Sequence, residues 1–179
     1  AEYHELAAVV RQFESGAVQF KEITLGAPLL SSYEDVAAVT GMMLEALPDA
    51  RKSSDAAVFM GHGTHHAADL VYVAADAVLR ERDRLAFLGT VEGHPTREDV
   101  IARCEAEGVE KVWLVPFMSV AGDHAQNDLA GEGDDSWKSV FDAHGMETHV
   151  VLRGMAEMDG VVDVWLSHLE EAAEKLDME

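Results

Sequence analysis

Residues 56–66, "AAVFMGHGTHH", combine a short apolar run with a turn that is rich in glycine and histidine. The run at 56–61 is apolar on both faces, which is typical of a strand in a parallel sheet that is covered on both sides. Residues 65–82 then show the apolar spacing of a helix. The stretch therefore predicts a buried strand that delivers His62 into the turn before a helix.

The same alternation of strand and helix continues toward the C-terminus. Further strands are predicted at 85–90, 109–119 and 146–154, and further helices at 96–108, within 134–145 and at 161–176. Thr96 is predicted to cap the helix at 96–108, and Gly108 to end it. Short apolar strands that alternate with helices predict an α/β fold, with a parallel sheet flanked by helices.

The front of the chain fits this alternation less well. Residues 3–15 have helical spacing and residues 18–26 alternate like a strand. We expect residues 1–30 to be the tail of a preceding α/β domain, 31–54 a connecting helix and linker, and 55–179 the C-terminal α/β domain with the metal site. Ser32, three residues before Asp35, is predicted to cap the connecting helix.

Composition and charge exclude several classes of protein. The chain has 179 residues, with 13 Lys and Arg against 34 Asp and Glu, and a formal net charge of −21. No nucleic-acid partner is expected, because phosphate binding needs clustered basic residues. No apolar run approaches the roughly 18 residues of a membrane span, so none is predicted. The compartment is left open between cytoplasm, the default, and periplasm, because the natural start of the chain is expected to be missing.

The single cysteine, Cys104, cannot form an internal disulfide. It lies in the helical pattern at 96–108, and a small buried helix residue is favoured over a reactive thiol. A homo-oligomer is expected.

Polar residues follow three successive predicted strands, at the point where each strand ends. His62 follows the strand at 56–61, Glu92 follows 85–90, and His124 follows 109–119. Ligands bind at the carboxyl ends of the strands in parallel α/β sheets, so the three side chains are expected at one edge. Two imidazoles and a carboxylate suit divalent cobalt, iron, nickel or zinc, and they leave coordination positions open for a substrate. The sequence thus predicts a metal site.

Each histidine also has a simpler interpretation. His62 and His124 alone would be loop residues or helix caps, and Glu92 alone a solvated acid; their combination favours a metal site. For the other histidines we expect solvent or capping roles at His65 and His66, a structural role at His94, peripheral positions at His144 and His149, and an exposed position at His168. His4 lies on the first helix, where solvent exposure or packing is expected; ligation of a metal or haem at an oligomer interface is an alternative.

Three segments resemble the anaerobic-type cobalt chelatases, the sirohydrochlorin cobaltochelatases of the class II chelatase superfamily. They are "VFMGHGTHHAAD", "LGTVEGHP" and "VPFMSVAGDHAQNDLAGEGDDSWKS". "KEITLGAPLL" is similar to the region that joins the two domains of that family. The resemblance runs over nearly the whole chain and implies two similar α/β domains facing each other across a cleft, mainly the C-terminal one here. It also implies that His62, Glu92 and His124 are the metal ligands.

By this resemblance, the expected activity is insertion of Co²⁺ into sirohydrochlorin without ATP, in cobalamin biosynthesis. His62 would be a ligand and the principal base, with His124 and Glu92 as partners, and the missing N-terminal domain would complete the cleft. Backbone N–H groups in the turns at 61–66 and 122–128 would bind substrate carboxylates. Three alternatives stay open: Fe²⁺ insertion to make sirohaem, a non-catalytic metal- or tetrapyrrole-binding protein, and a zinc hydrolase.

Overall fold

The computed structural model of the chain describes residues 2–14 and 20–177. This part contains a sheet of four parallel strands in the order β2-β1-β3-β4. The strands are β1 (Ala56–Gly61), β2 (Ala86–Thr90), β3 (Lys111–Pro116) and β4 (Glu147–Val150). The α-helices are α1 (Glu2–Glu14), α2 (Tyr33–Glu45), α3 (Leu70–Arg82), α4 (Arg97–Ala106), α5 (Trp137–Ala143) and α6 (Asp159–Asp177). Short 3₁₀ turns lie at Ala67–Asp69 and Met155–Glu157, and one π-helical turn at Ala125–Leu129.

The sheet is covered by helices on both faces, as the sequence predicts. Successive side chains of a strand point to opposite faces. On β1, Phe59 belongs to the core formed with α2, α3 and α6, whereas Val58 and Met60 belong to the core formed with α4 and α5. All three side chains have an exposed fraction of 0%. The α/β fold with a parallel sheet flanked by helices is therefore confirmed.

The predicted helix caps are confirmed by hydrogen bonds. The hydroxyl of Ser32 accepts from the backbone N–H of Asp35, and the Asp35 carboxylate accepts from the backbone N–H of Ser32. Thr96 and Asp99 make the same reciprocal pair at the start of α4. Gly108 follows α4 with φ of 66°, a conformation that glycine adopts without steric cost.

Cys104 is fully buried on α4, in agreement with the sequence. Burial raises the pKa of its thiol to about 12, because the thiolate would lose its hydration. Since the thiolate is the reactive form, this cysteine is inert at neutral pH.

The predicted strand at 18–26 is wrong for residues 20–26, which form no strand; residues 18 and 19 lie outside the described part. The segment runs beside α6: Phe20 and Thr24 share a surface depression with Lys175, and a Cβ on Gly26 would lie 3.3 Å from the carbonyl oxygen of His168. A helix satisfies its own backbone groups and offers no ladder of hydrogen bonds. Alternation alone therefore does not make a strand here.

The expected exposure of His168 is also wrong. Its exposed fraction is 8%, and its Nε2 lies 3.4 Å from Oδ1 of Asp35 on α2. His168 shares a helical stripe with the buried residues Val161 and Ala172, and this stripe of α6 packs onto α2. His168 is buried because it lies on the side of α6 that packs onto α2, where the carboxylate of Asp35 is its neighbour.

Among the described residues, no helix combines the length and the apolar character that crossing a membrane requires.

Candidate metal centre

Backbone pairing continues past the ends of the strands and brings the predicted site residues together. The N–H of Val91 donates to the carbonyl of Gly61 over 3.1 Å, and the N–H of Glu92 donates to the carbonyl of His62 over 2.9 Å. On the other side of β1, the N–H of Phe117 donates to the carbonyl of Met60 over 2.7 Å. The turns after three neighbouring strands are thereby held side by side.

The side chains of His62, Glu92 and His124 are neighbours at this edge. The rings of His62 and His124 have centroids 4.9 Å apart and planes at 85°. Oε2 of Glu92 lies 4.0 Å from Nδ1 of His62. The three side chains are 42%, 51% and 51% exposed, respectively, so a metal ion or a large planar ligand can reach them.

Both imidazoles are oriented by a hydrogen bond through their Nδ1 atom. Nδ1 of His62 lies 3.0 Å from the carbonyl oxygen of Gly63, and Nδ1 of His124 lies 2.5 Å from Oδ2 of Asp128. Because these oxygens only accept, the proton of each neutral ring belongs on Nδ1, which leaves the lone pair on Nε2. Within the described residues, neither Nε2 has a hydrogen-bond partner. Metal-binding histidines are commonly held in this way through their second nitrogen.

The three side chains do not yet surround one point. Glu92 approaches His62 from the Nδ1 edge, whereas the free nitrogens are the Nε2 atoms. Across residues 2–14 and 20–177, no three His, Cys, Asp or Glu side chains are arranged to hold a metal ion. A metal shared by both imidazoles and the carboxylate would therefore require rotation of the flexible Glu92 side chain.

Asp69 fixes the turn that carries His62, although the sequence analysis did not identify it. Oδ1 of Asp69 accepts from the N–H of Thr64 over 3.1 Å, and Oδ2 accepts from the N–H of His94 over 2.8 Å. A Cβ on Gly93 would lie 2.0 Å from Oδ1 of Asp69, so only glycine lets this loop approach the carboxylate. One side chain thus joins the turns after β1 and β2. Its signal in the sequence is an acid at the start of a helix, where free N–H groups favour carboxylates.

Replacing Asp69 with alanine should loosen the site and lower stability. The N–H groups of Thr64 and His94 would both lose their acceptor, so we expect the free energy of unfolding to fall by about 2 kcal/mol. Urea denaturation measures this change. Asp49→Ala is the matched control, since Asp49 is exposed in a turn. Equal stability of the two variants would contradict the assigned role of Asp69.

Asp128 is the second residue that the sequence analysis did not identify. It lies four residues after His124, in the π-helical turn. Its hydrogen bond raises the pKa of His124, and the negative charges of Asp128, Asp123 and Glu92 act in the same direction. The charged ring is thus favoured in the folded protein. The spacing of four residues between His124 and Asp128 could have indicated this pair. Such spacing brings side chains together only in a helical turn, and the segment is rich in glycine and aspartate, which do not favour a helix.

Asp128→Asn should lower the pKa of His124, as measured by NMR titration of the imidazole. A raised folded-state pKa stabilises the protein fully below the unfolded value of about 6.5, and this contribution is lost as pH rises through the folded pKa. The variant should therefore lose stability on the acid side of this range and not on the alkaline side. Asp123→Asn, which removes only a charge and no bond to His124, should give a smaller shift. An equal shift in both variants would refute the hydrogen bond as the main cause.

A largely apolar groove of about 600 Å³ opens beside His62. Its lining is mainly apolar and also includes His62, Gly63 and Thr64 from the turn after β1; the apolar and aromatic residues include Tyr3, Leu30, Val71, Tyr72, Phe117, Met118, Met155 and Trp165. Apolar walls with a few polar groups at one end are typical of sites for large, mainly apolar ligands. A planar ring system in this groove would contact His62.

The other histidines take structural roles or lie away from the site. His66 caps the 3₁₀ turn, since its Nδ1 accepts from the N–H of Ala68 over 3.1 Å. The backbone of His94 is held by Asp69. His144 pairs with a glutamate on α4, and His149 stacks on a tryptophan with ring centroids 4.6 Å apart. His4 is exposed on α1, with its ring centroid 5.4 Å from that of His66.

Comparison with solved structures reveals the same fold. A sirohydrochlorin chelatase (SirB) from Bacillus subtilis subspecies spizizenii, solved in complex with cobalt, aligns with a TM-score of 0.53 over 96% of this chain and 61% of its own, at 15% identity. A multi-domain protein from Deinococcus radiodurans with structural similarity to chelatases aligns with a TM-score of 0.50 over 79% of this chain and 30% of its own, at 18% identity. At such low identity, these likenesses concern the fold alone.

Sequence comparison gives closer relatives. The chain is 42% identical over 177 residues to the sirohydrochlorin cobaltochelatase CbiKC of Nitratidesulfovibrio vulgaris, and 36% identical over 168 residues to the sirohydrochlorin cobaltochelatase of Salmonella typhimurium. These alignments cover 99% and 94% of this chain but 62% and 63% of the relatives. The chain thus spans a little over three fifths of their length.

The family model described as cobalt chelatase (CbiK) matches residues 1–174. This match covers nearly the whole chain. The chain therefore belongs to the cobalt chelatase (CbiK) family.

Proposed function

We propose that this chain carries the metal-inserting site of a sirohydrochlorin cobaltochelatase, which places Co²⁺ in the tetrapyrrole without ATP as a step of cobalamin biosynthesis. The observation that carries the proposal is the perpendicular pair of His62 and His124, with ring centroids 4.9 Å apart, beside Glu92 and next to an apolar groove that His62 lines. Family membership and the names of the two curated relatives support it.

The proposed chemistry follows from the ligand set. Nε2 of His62, Nε2 of His124 and the carboxylate of Glu92 would replace water around Co²⁺ and hold it against one face of the ring. The groove would bind the macrocycle through apolar contact and keep the metal and the pyrrole nitrogens close together. Holding the metal and the macrocycle close together does not require nucleotide hydrolysis, and the sequence has no P-loop pattern.

Metal insertion must also remove the two pyrrole N–H protons of the ring. Each bond that the metal exchanges for a pyrrole nitrogen frees a basic atom of the protein. A freed imidazole nitrogen has a lone pair that can accept a proton, so His62 would serve first as ligand and then as principal base. The second proton would pass to His124, to Glu92 or to water.

An anaerobic absorbance assay tests the proposal. The chain is mixed with sirohydrochlorin and Co²⁺ without ATP, and the spectrum is followed against an enzyme-free reaction. We expect the spectrum of the cobalt-containing ring to appear faster with the protein. Retained ring or metal binding without product would indicate either a non-catalytic binding protein or a half of the cleft that needs the second domain, and the assay repeated with that domain added separates the two. No product after that addition would overturn the proposal, as would zinc retention with hydrolytic activity, which would indicate a zinc hydrolase.

Metal preference is a finer part of the proposal. Imidazole and carboxylate ligands also suit Fe²⁺, so iron insertion to make sirohaem is the alternative on the same scaffold. Assays with Co²⁺ and Fe²⁺ at equal concentration, with product identified by mass, would separate the two. A faster reaction with Fe²⁺ would make this site an iron chelatase.

Two predictions about partners stay open to test. A second α/β domain facing the groove, and assembly of a homo-oligomer, would both cover the exposed apolar side chains of α1, where Leu6, Val9 and Phe13 are 50%, 46% and 43% exposed. Sedimentation velocity measures the oligomeric state. A haem or metal bound by His4 at such an interface would give an absorbance band that His4→Ala removes.

A further inference from the structure

Arg153 lies at the same edge of the sheet as the candidate metal centre. It follows β4, whose ladder to β3 continues through the bond from the N–H of Val151 to the carbonyl of Leu114, 2.9 Å long. The ends of β1, β2, β3 and β4 meet at one edge because all four strands are parallel. Arg153 is therefore carried by the fourth connection of the edge that carries His62, Glu92 and His124.

The connection after β4 is packed tightly against the connection after β3. The N–H of Met155 donates to the carbonyl of Met118, and the N–H of Ala156 donates to the carbonyl of Ser119, each over 2.9 Å. A Cβ on Gly154 would lie 2.7 Å from Cα of Val120, so the backbones touch where glycine is required. Met118, Ser119 and Met155 also line the apolar groove. Arg153 thus stands two residues from the groove wall, beside the connection that leads to His124.

The charge of Arg153 is unusual for its position. It is the only Arg or Lys in the connections that follow the four strands, at 62–69, 91–96, 117–136 and 151–158. The same connections carry Asp and Glu in each of the four, in a chain with net charge −21. A polycarboxylate ligand would be repelled by this field, so a cation at the groove would have a large relative effect.

Most arginines of the described residues are already neutralised by a carboxylate. Ion pairs engage Arg51, Arg80, Arg84, Arg97 and Arg103. Arg153 is exposed, and in the described part of the chain the only hydrogen-bond partner of its guanidinium is the carbonyl oxygen of Glu157, 2.9 Å from one terminal nitrogen. That bond anchors the guanidinium and leaves its charge and most of its five N–H donors for a ligand.

We infer that Arg153 binds a peripheral carboxylate of the tetrapyrrole and thereby orients the ring in the groove. The inference rests on the proposed function, because that substrate class carries carboxylate side chains around an apolar ring. A guanidinium binds a carboxylate through two parallel N–H bonds, which fix direction as well as distance. Arg153 is a specificity residue: it contributes to substrate binding, whereas the metal and the proton transfers belong to the histidine edge.

Binding of metal-free sirohydrochlorin to Arg153→Gln tests the inference. Loss of a charge-assisted pair should raise the dissociation constant by roughly 10- to 100-fold. Arg153→Lys, which keeps the charge without the planar fork, should fall between the wild type and Arg153→Gln. The effect should shrink as salt is added. In turnover, KM should rise while kcat stays within about twofold, and the affinity for Co²⁺ alone should not change.

Arg84→Gln is the matched control. Arg84 is an exposed arginine that precedes β2, at the opposite edge of the sheet, and its removal changes the net charge by the same amount. If Arg153→Gln and Arg84→Gln both bind the ring like the wild type, the inference is overturned while the proposed function stands. If the wild-type chain neither binds nor metallates sirohydrochlorin, the proposed function is overturned and this inference with it.

Discussion

His62→Ala is expected to reduce the rate of Co²⁺ insertion by about two to four orders of magnitude, the range over which acid–base groups usually contribute. The variant would lose the imidazole that lies 4.0 Å from Glu92 and packs perpendicular to His124. In the proposed reaction this side chain is both a metal ligand and the principal base, so neither function would survive the substitution. Initial rates in the anaerobic absorbance assay give the measurement.

Stability separates a chemical effect from a structural one. The His62 side chain is 42% exposed, so the alanine variant should unfold within about 0.5 kcal/mol of the wild type. His144→Ala is the control, because His144 is also exposed but pairs with a glutamate of α4 away from the site. Wild-type rates in His62→Ala would refute the proposed role.

His124→Ala provides a test of cooperation between the two imidazoles. If His62 and His124 hold one metal ion, removing the second after the first should cost little more, because residues that act as a unit are not additive. The double variant should then be about as slow as the slower single variant. Rate losses that multiply would instead indicate two independent sites.

Gly63→Ala is expected to have the largest effect on the structure of the site. Gly63 has φ of 78°, and a Cβ there would lie 2.5 Å from the backbone nitrogen of Gly93 and 2.8 Å from Cβ of Thr90. The left-handed conformation costs an alanine about 1–2 kcal/mol, and the contacts with backbone cannot be relieved by a side-chain rotation. We expect the free energy of unfolding to fall by about 3 kcal/mol or more and metal insertion to be lost.

Gly108→Ala measures the cost of the left-handed backbone conformation without the cost of steric contacts. Gly108 has φ of 66°, but nothing lies within 4 Å of its Cβ position, in a connection away from the histidines. Its alanine variant should lose only about 1–2 kcal/mol and keep full activity. If Gly63→Ala were no worse than Gly108→Ala in urea denaturation, the tight contact with the loop after β2 would not be a constraint.

The core of the fold could be predicted from local pattern. β1 is apolar along its whole length because both faces are covered, and its bounds agree with the apolar run at 56–61. The caps at Ser32 and Thr96 could be predicted because they depend on residues three positions apart. The segment 20–26 could not, since a strand needs a partner that alternation does not reveal. His168 was misplaced because its burial depends on which side of α6 packs onto α2, a helix that is distant in sequence.

In the candidate site, too, some features follow from local sequence pattern and others depend on distant residues. The proximity of His62, Glu92 and His124 could be predicted because parallel strands end at one edge of the sheet. Asp69 could not, because it acts through the backbone of His94, 25 residues away. Asp128 depends on an irregular helical turn. Residues that orient the ligands act across connections, where the sequence gives no periodicity to read.

The strand order has a consequence for how such a site can change during evolution. β1 lies between β2 and β3, and neighbouring strands in any sheet are about 4.8 Å apart, so the backbone itself spaces the residues that follow these strands. This spacing between strands does not depend on which side chains follow them. In the proposed site, exchange of Glu92 for another donor would alter the ligand set while the ladder between β1 and β2 stays the same. If the proposal holds, metal selectivity and folding can be selected separately, one residue at a time.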